Sequence, residues 1–301
     1  MTLTNRDLRD DIRDYWSDRA ATFDDDPGHR IAEGAEMAAW RALFARHLGP
    51  AGGRRLLDLA SGTGEIARLC HDMGFEVTGL DWAEPMLDRA RAKLPGVTFL
   101  QADAERTMLP DGCMEIIVTR HLVWTLVDPA AAFAEWHRVL APGGQVLVVD
   151  GDFVSRGWLS RMLARPVPAK PHGDGTRHAD ILSRVHFSHG ARADAVAALM
   201  RAAGFRDLRI DTRLGAIHRA QAAQFGGPVE KVVLSDLSYG GCKNLFRCKT
   251  DLDHCGQLDD LKPVLQAIAN AQVLVLASPV YFTSVTRQLK LVIDRMFSFF
   301  V

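Results

Sequence analysis

Short apolar runs rich in β-branched residues alternate with amphipathic stretches through the first half of the chain. RRLLDLA, EVTGLD, VTFLQAD, MEIIVTRH and QVLVVDG read as five buried strands, nearly continuous in apolar character, as parallel strands covered on both faces are. Between them AEPMLDRARAKL and PAAAFAEWHRVL carry helical periodicity, the second stopped by Ala141-Pro142-Gly143-Gly144. The series is βαβ and predicts an open α/β sheet with helices on both faces. Residues 154–182, with Pro166, Pro168 and Pro171, break the pattern and read either as a substrate-facing lid or as a plain surface excursion. It resumes as a helix in ARADAVAALMRAAGF and a strand in RDLRIDTRL.

Composition narrows the partners. The 301 residues are 48% hydrophobic and 24% charged, enough for a full core and one domain with an addition. A net charge of -1 and a pI near 6.8 lack the basic excess that nucleic acid or an anionic membrane selects, so neither is an expected partner. The N-terminal MTLTNRDLRDDIRDYW is too charged for a secretory segment, and no window nears ~18 uninterrupted apolar residues. A cytoplasmic protein is expected, and its odd count of five cysteines fits reduced thiols.

The candidate chemistry begins at LDLASGTGEIARL. Gly62 and Gly64 allow close backbone approach at the carboxyl end of the first strand. A helix starting near Glu65 aims its unpaired N–H groups into the same crevice. A nucleoside-type ligand fits there, although G-x-G alone is also a tight turn and Ala67 stands where a dinucleotide fingerprint carries its third glycine. Asp81 closes the second strand about 20 residues on, where an acid accepts from both ribose hydroxyls. Asp103, with the adjacent Ala104 backbone, can read an adenine amino edge; a strand-end turn residue is the alternative.

DLASGTGEIA, VTGLDWAEPML, FLQADAE and RVLAPGGQVLVVD together resemble the class I S-adenosylmethionine-dependent methyltransferases over roughly residues 12–220, particularly the small-molecule branch that includes the quinone-biosynthesis C-methyltransferases. The resemblance implies a Rossmann-like sheet, S-adenosylmethionine as cofactor with S-adenosylhomocysteine as product, and a small-molecule acceptor. It implies that Asp58, Ala60, Ser61, Gly62 and Gly64 serve the amino-acid and ribose parts of the cofactor, that Asp81 holds the ribose, and that Trp82 and Met86 flank the adenine. DYWSDRAATFD is similar to the family's opening segment, in which Tyr15, Trp16 and Arg19 would cover the cofactor; an amphipathic helix packing its aromatics is the alternative. A nicotinamide-linked dehydrogenase is the competing enzyme reading, but it would carry the third glycine and a Tyr-x-x-x-Lys or His-Asp arrangement, which we do not find.

Methyl transfer from a sulfonium is an in-line displacement that depends on positioning, with a base only where the nucleophile carries a proton. Arg120, His121 and Trp124 follow the fourth strand, where the family places its substrate loop, and Arg120 is assigned to the cofactor side. His121 reads as a base or orienting donor, or as a satisfied structural residue. Arg184, His186 and Arg192 could clamp a substrate carboxylate or phosphate, and helix-entry polarity explains them equally well. Asp150 and Asp152 could face the same pocket.

From about Val229 the chain resembles the flavodoxin-like NADPH-dependent flavin reductases and iron–sulfur flavoproteins at GC-x5-CK, DDL, ASPVYF and QLK-x3-DR. That family's first strand and phosphate-binding loop are missing, so FMN is not an expected cofactor. Cys242, Cys248 and Cys255, with Leu245 between the first two and His254 beside the last, are too irregular to predict a metal. The expected domains are a methyltransferase over 1–225 and a truncated flavodoxin-like α/β segment over 226–301. VEKVVLSDL is predicted to close an antiparallel hairpin with RDLRIDTRL, while AQVLVLAS packs outside or pairs with a second chain. The apolar face of QLKLVIDRMFSFFV would favour a homodimer. The alternative function is a flavin-linked electron-transfer or dimerisation module fused to a cofactor-binding, methyltransferase-like domain.

Overall fold

The computed structural model describes residues 5–26, 28–151, 175–224, 232–243, 257–270 and 287–296. The five apolar runs form β1 (Arg55–Leu59), β2 (Glu76–Asp81), β3 (Thr98–Gln101), β4 (Met114–Arg120) and β5 (Leu140–Val149). They pair in parallel in the order β3-β2-β1-β4-β5. Alternation along each strand splits the core between the two faces. Leu56, Ile116 and Val118 pack with Trp40, Phe44 and Leu69, whereas Leu57, Leu59 and Ile117 pack with Phe133, Trp136 and Met200. Each such side chain contributes roughly 1.5–3 kcal/mol on burial.

The helices in chain order are α1 (Asn5–Arg19), α2 (Ala35–Leu48), α3 (Glu65–Asp72), α4 (Glu84–Lys93), α5 (Pro129–Val139), α6 (Gly175–Arg184), α7 (Ala193–Ala202) and α8 (Gly215–Ala222), then α9 (Leu261–Asn270) and α10 (Arg287–Arg295). The chain divides into two compact units, Met1–Gly226 and Gly227–Val301. In the first, Asp128 caps α5 by accepting the Ala131 N–H at 3.0 Å. The predicted Pro-Gly-Gly stop lies inside β5. Leu140 pairs with Met114, the register shifts, and Gln145 then pairs with Ile116, with Gly143 left-handed at φ 80° in between.

Several expectations fail. RDLRIDTRL forms no strand: its alternating charges leave only Leu208 and Ile210 as apolar residues between them, and Ile210 is 60% exposed. Asp211 is instead drawn to Arg46 and His47 at the end of α2, both at 3.0 Å. Residues 232–237 of VEKVVLSDL are irregular apart from a 3-10 turn at Leu234–Asp236 and belong to the second unit, so the hairpin does not form. AQVLVLAS lies outside the described residues. Part of the 154–182 insert is helical, in α6, and the rest of that insert before Gly175 lies outside the described residues. Leu289, Val292 and Ile293 of α10 and the following Met296 are buried within the chain, while residues 297–301 of the same apolar segment lie outside the described residues.

Within the second unit, the Arg295 guanidinium is 2% exposed and reaches both oxygens of Asp259, at 2.6 and 2.5 Å. Asp259 also accepts the Leu261 N–H at the start of α9, tying the two helices together.

Candidate active site

The chain leaves β1 for β2 and β3 on one side and places β4 and β5 on the other, so β1 and β4 part at their carboxyl ends, where open α/β sheets hold their ligands. A cavity of about 1000 Å³ opens there, lined from the ends of all five strands and closed by α1, α6 and α8.

Its floor is the turn after β1. Ala60 takes a left-handed φ of 56° and Gly62 one of 54°, which folds the backbone back under the cavity. Asp81, at the end of β2, accepts the Gly62 N–H through Oδ2 and the Ala83 N–H through Oδ1, both at 2.8 Å. Burial raises its pKa, and those backbone donors pull it back. Gly64 does not line the cavity. It is left-handed at φ 86°, and a Cβ there would stand 3.1 Å from the Ala90 Cβ, so both the turn and the close packing of α3 on α4 call for glycine. Asp58 is likewise behind the wall, 1% exposed, with its carboxyl pushed up to about 7 by burial.

On the β3 side, Asp103 accepts the Glu105 N–H at 2.9 Å through one oxygen, and the Arg9 Nε of α1 lies 3.4 Å from the other. Ala104 lines the cavity beside it, its carbonyl accepting from Trp136 Nε1 at 2.8 Å. Trp82 and Met86 complete that wall, and the buried Trp82 Nε1 has no hydrogen-bond partner among the described residues. The aromatic roof comes from α1. The Tyr15 ring meets Trp16 edge-on at 5.1 Å, Trp16 meets Trp124 at 6.5 Å, and Arg19 pairs with Asp26.

On the β4 side, the guanidinium of Arg120 sits 5.5 Å over the Trp40 ring and donates to the carbonyls of Gly28 and His29. His121 adopts φ 61°, a conformation that histidine tolerates better than most residues, and is held by its N–H to Val149 O at 3.1 Å. The imidazole is pushed down to about 3 by low-dielectric surroundings, Arg120 and His29, so it is neutral at pH 7. Asp150, at the end of β5, accepts from Val123 N at 2.6 Å and Gly151 N at 2.8 Å, and burial lifts its carboxyl to about 6.

The expected cationic clamp is absent from the cavity. Arg184 pairs with Asp11 and Asp180, both at 2.8 Å, bracing α6 against α1. His186 gives its backbone N–H to Leu126 O, and Arg192 is largely exposed beside Asp194. Short-range attraction to nearby carboxylates outcompetes convergence on the cavity. Sequence reasoning missed His29, His178 and His218, all cavity-lining. His178 packs on Tyr15 and Trp124, and only the helical period of α6 carried any signal for it. Asp152, Cys248, His254 and Cys255 lie outside the described residues; Cys242 is exposed.

Residues 57–148 match the family described as a methyltransferase domain, and residues 212–299 match NADPH-dependent FMN reductase. The second match begins ahead of the expected Val229 and takes in α8, which belongs to the first unit. Over 103 residues the chain is 40% identical to a demethylmenaquinone methyltransferase of Thermus thermophilus, covering 32% of this chain and 47% of that protein. Over 115 residues it is 33% identical to a ubiquinone/menaquinone biosynthesis C-methyltransferase of Desulfotalea psychrophila, covering 37% and 47%. The chain thus spans about half the length of these curated relatives. Among solved structures, a Haemonchus contortus phosphoethanolamine N-methyltransferase 2 in complex with S-adenosyl-L-methionine superposes with a TM-score of 0.52 at 17% identity, covering 74% of this chain and 50% of that one. That likeness is one of fold, a class I methyltransferase sheet with helices on both faces.

Proposed function

We propose that the chain is an S-adenosylmethionine-dependent methyltransferase acting on a small-molecule acceptor, with the chemistry in the first unit. The observation that carries this reading is Asp81. Its oxygens accept the Gly62 and Ala83 N–H groups, and the carboxylate lines the cavity as an acceptor that a ribose diol can meet. The rest of the lining fits the same nucleoside: Asp103 to accept from an amino edge, Trp82 and Met86 for a planar base, and Trp82 Nε1, without a partner among the described residues, as a donor.

When bound, S-adenosylmethionine supplies a sulfonium methyl group open to in-line attack. The turn at Ala60, Ser61 and Gly62 holds the amino-acid and ribose parts, and Tyr15, Trp16 and Arg19 exclude water from above. Arg120 fixes the loop at Gly28 and His29. His121, already neutral, orients an acceptor by hydrogen bonding; a conjugate acid near 3 makes it a weak base at pH 7. Where the nucleophile carries a proton, Asp150 is the better acceptor for it, lining the cavity with a pKa lifted to about 6.

Calorimetric titration with S-adenosylmethionine and S-adenosylhomocysteine tests the cofactor, and a metabolite screen with labelled methyl donor tests the acceptor. One-to-one binding of both nucleosides is expected; absence of binding to either refutes the reading.

A further inference from the structure

A carboxylate that touches nothing in the cavity organises one of its walls. Glu36, on α2, is 2% exposed and does not line the cavity. It accepts four N–H groups: Ala32 N at 3.0 Å, Trp40 Nε1 at 3.3 Å, Gln221 Nε2 at 2.9 Å and Gln224 Nε2 at 2.5 Å. A carboxylate offers about four lone-pair sites, so this one is saturated, and only the nitrogen end of each glutamine amide can face it. Two donors lie on α2 or its approach, and two lie on or just past α8.

Those partners form cavity wall. Gln221 lines the cavity together with Ile217 and His218 of the same helix. Trp40 lines it under Arg120, which in turn holds Gly28 and His29. Gln221 Nε2 also lies 3.8 Å from where a Cβ on Gly28 would stand, so the loop and α8 meet at this amide. An apolar residue at position 36 could pack the helices but would leave two amides and an indole N–H unpaired. The buried charge is tolerated because all of them converge on it.

We propose that Glu36 is the positioning residue for the wall formed by α8 and Trp40, the wall that the nucleoside-binding residues leave to the acceptor. The assignment of that wall rests on the methyltransferase reading above; the bracing by Glu36 does not.

The test uses the full chain as wild type, Glu36→Gln and Glu36→Gln/Gln224→Glu. In the double variant a carboxylate at 224 accepts from the amide at 36, restoring the link between the helices. Three quantities are read: hydrogen exchange over 215–224 against 55–59 and 114–120, the rate of His218 carbethoxylation by diethyl pyrocarbonate, and S-adenosylhomocysteine affinity. Glu36→Gln is expected to speed exchange over 215–224 and His218 modification by about fivefold or more, with both strands unchanged and affinity held within about threefold. The double variant is expected to return both rates to within about twofold of wild type. Unchanged exchange over 215–224, a rise that includes the strands, or a double variant that restores neither rate would overturn the proposal. If Glu36→Gln does not fold, Gln224→Ala, at an exposed position, replaces it: faster exchange confined to 215–224 supports the bracing, and no change overturns it. Failure of wild type to bind S-adenosylhomocysteine would defeat the functional reading while the exchange and modification results still judge Glu36.

Discussion

Replacing Asp58 with asparagine should remove a pH dependence that runs against ordinary acid denaturation. The carboxyl is 1% exposed within β1, and burial lifts it from 3.8 to about 7 despite the opposing Arg120 guanidinium. Between those pH values the folded chain retains a proton that the unfolded chain has lost, so this group makes stability fall as pH rises from about 4 to about 7. At about 1.36 kcal/mol per pH unit, the ionised group costs on the order of 4 kcal/mol above pH 7 and nothing below pH 4. Asparagine mimics the protonated acid and abolishes the slope. Burial of Asp150, Asp81 and Asp103 tilts the profile the same way. His121 tilts it oppositely, because the unfolded chain takes up the proton that the folded site refuses between about 3 and 6.5. The difference between variant and wild type isolates Asp58. All six tryptophans lie in the first unit, so their fluorescence during urea unfolding reports that unit alone. From pH 5 to pH 8 the variant should gain roughly 3 kcal/mol on wild type. Profiles parallel to within about 0.5 kcal/mol would refute the raised carboxyl.

Asp81→Asn leaves one of the Gly62 and Ala83 N–H groups facing an amide nitrogen and weakens the grip on a diol; calorimetry should show S-adenosylmethionine affinity falling about 10- to 100-fold. Ala60→Gly relieves a left-handed alanine and should raise stability by about 0.5–1 kcal/mol in urea unfolding. His121→Asn keeps a residue that tolerates positive φ and should lower turnover more than S-adenosylhomocysteine affinity, without creating or removing a titration between pH 6 and 8. The purified chain should lack stoichiometric flavin absorbance; a bound FMN in equal amount would return the second unit to an electron-transfer role.

The sheet and the floor of the cavity were legible in the amino-acid order because their causes are local. Strands buried on both faces read as unbroken apolar runs, and Gly62, Asp81 and Asp103 sit at strand ends, where any parallel sheet gathers its loops. Ala60 was legible as part of the turn that lines the cavity but not as a left-handed residue, since nothing in its type demands that conformation. Gly64 shows the converse: its left-handed turn is local, but the close neighbour 26 residues away in α4 is set by the packing of the helices. Charged residues misled wherever several partners competed: Arg184, His186 and Arg192 are near one another in sequence, yet closer carboxylates and carbonyls take them elsewhere. RDLRIDTRL had strand composition, and Asp211 instead found Arg46 and His47 more than 160 residues away. Periodicity and turn chemistry thus determined the parallel sheet and the floor of the cavity. Which histidines face that cavity, and how Glu36 joins α2 to α8, were decided only in three dimensions, because hydrogen bonds between distant segments depend on distances that residue order does not contain.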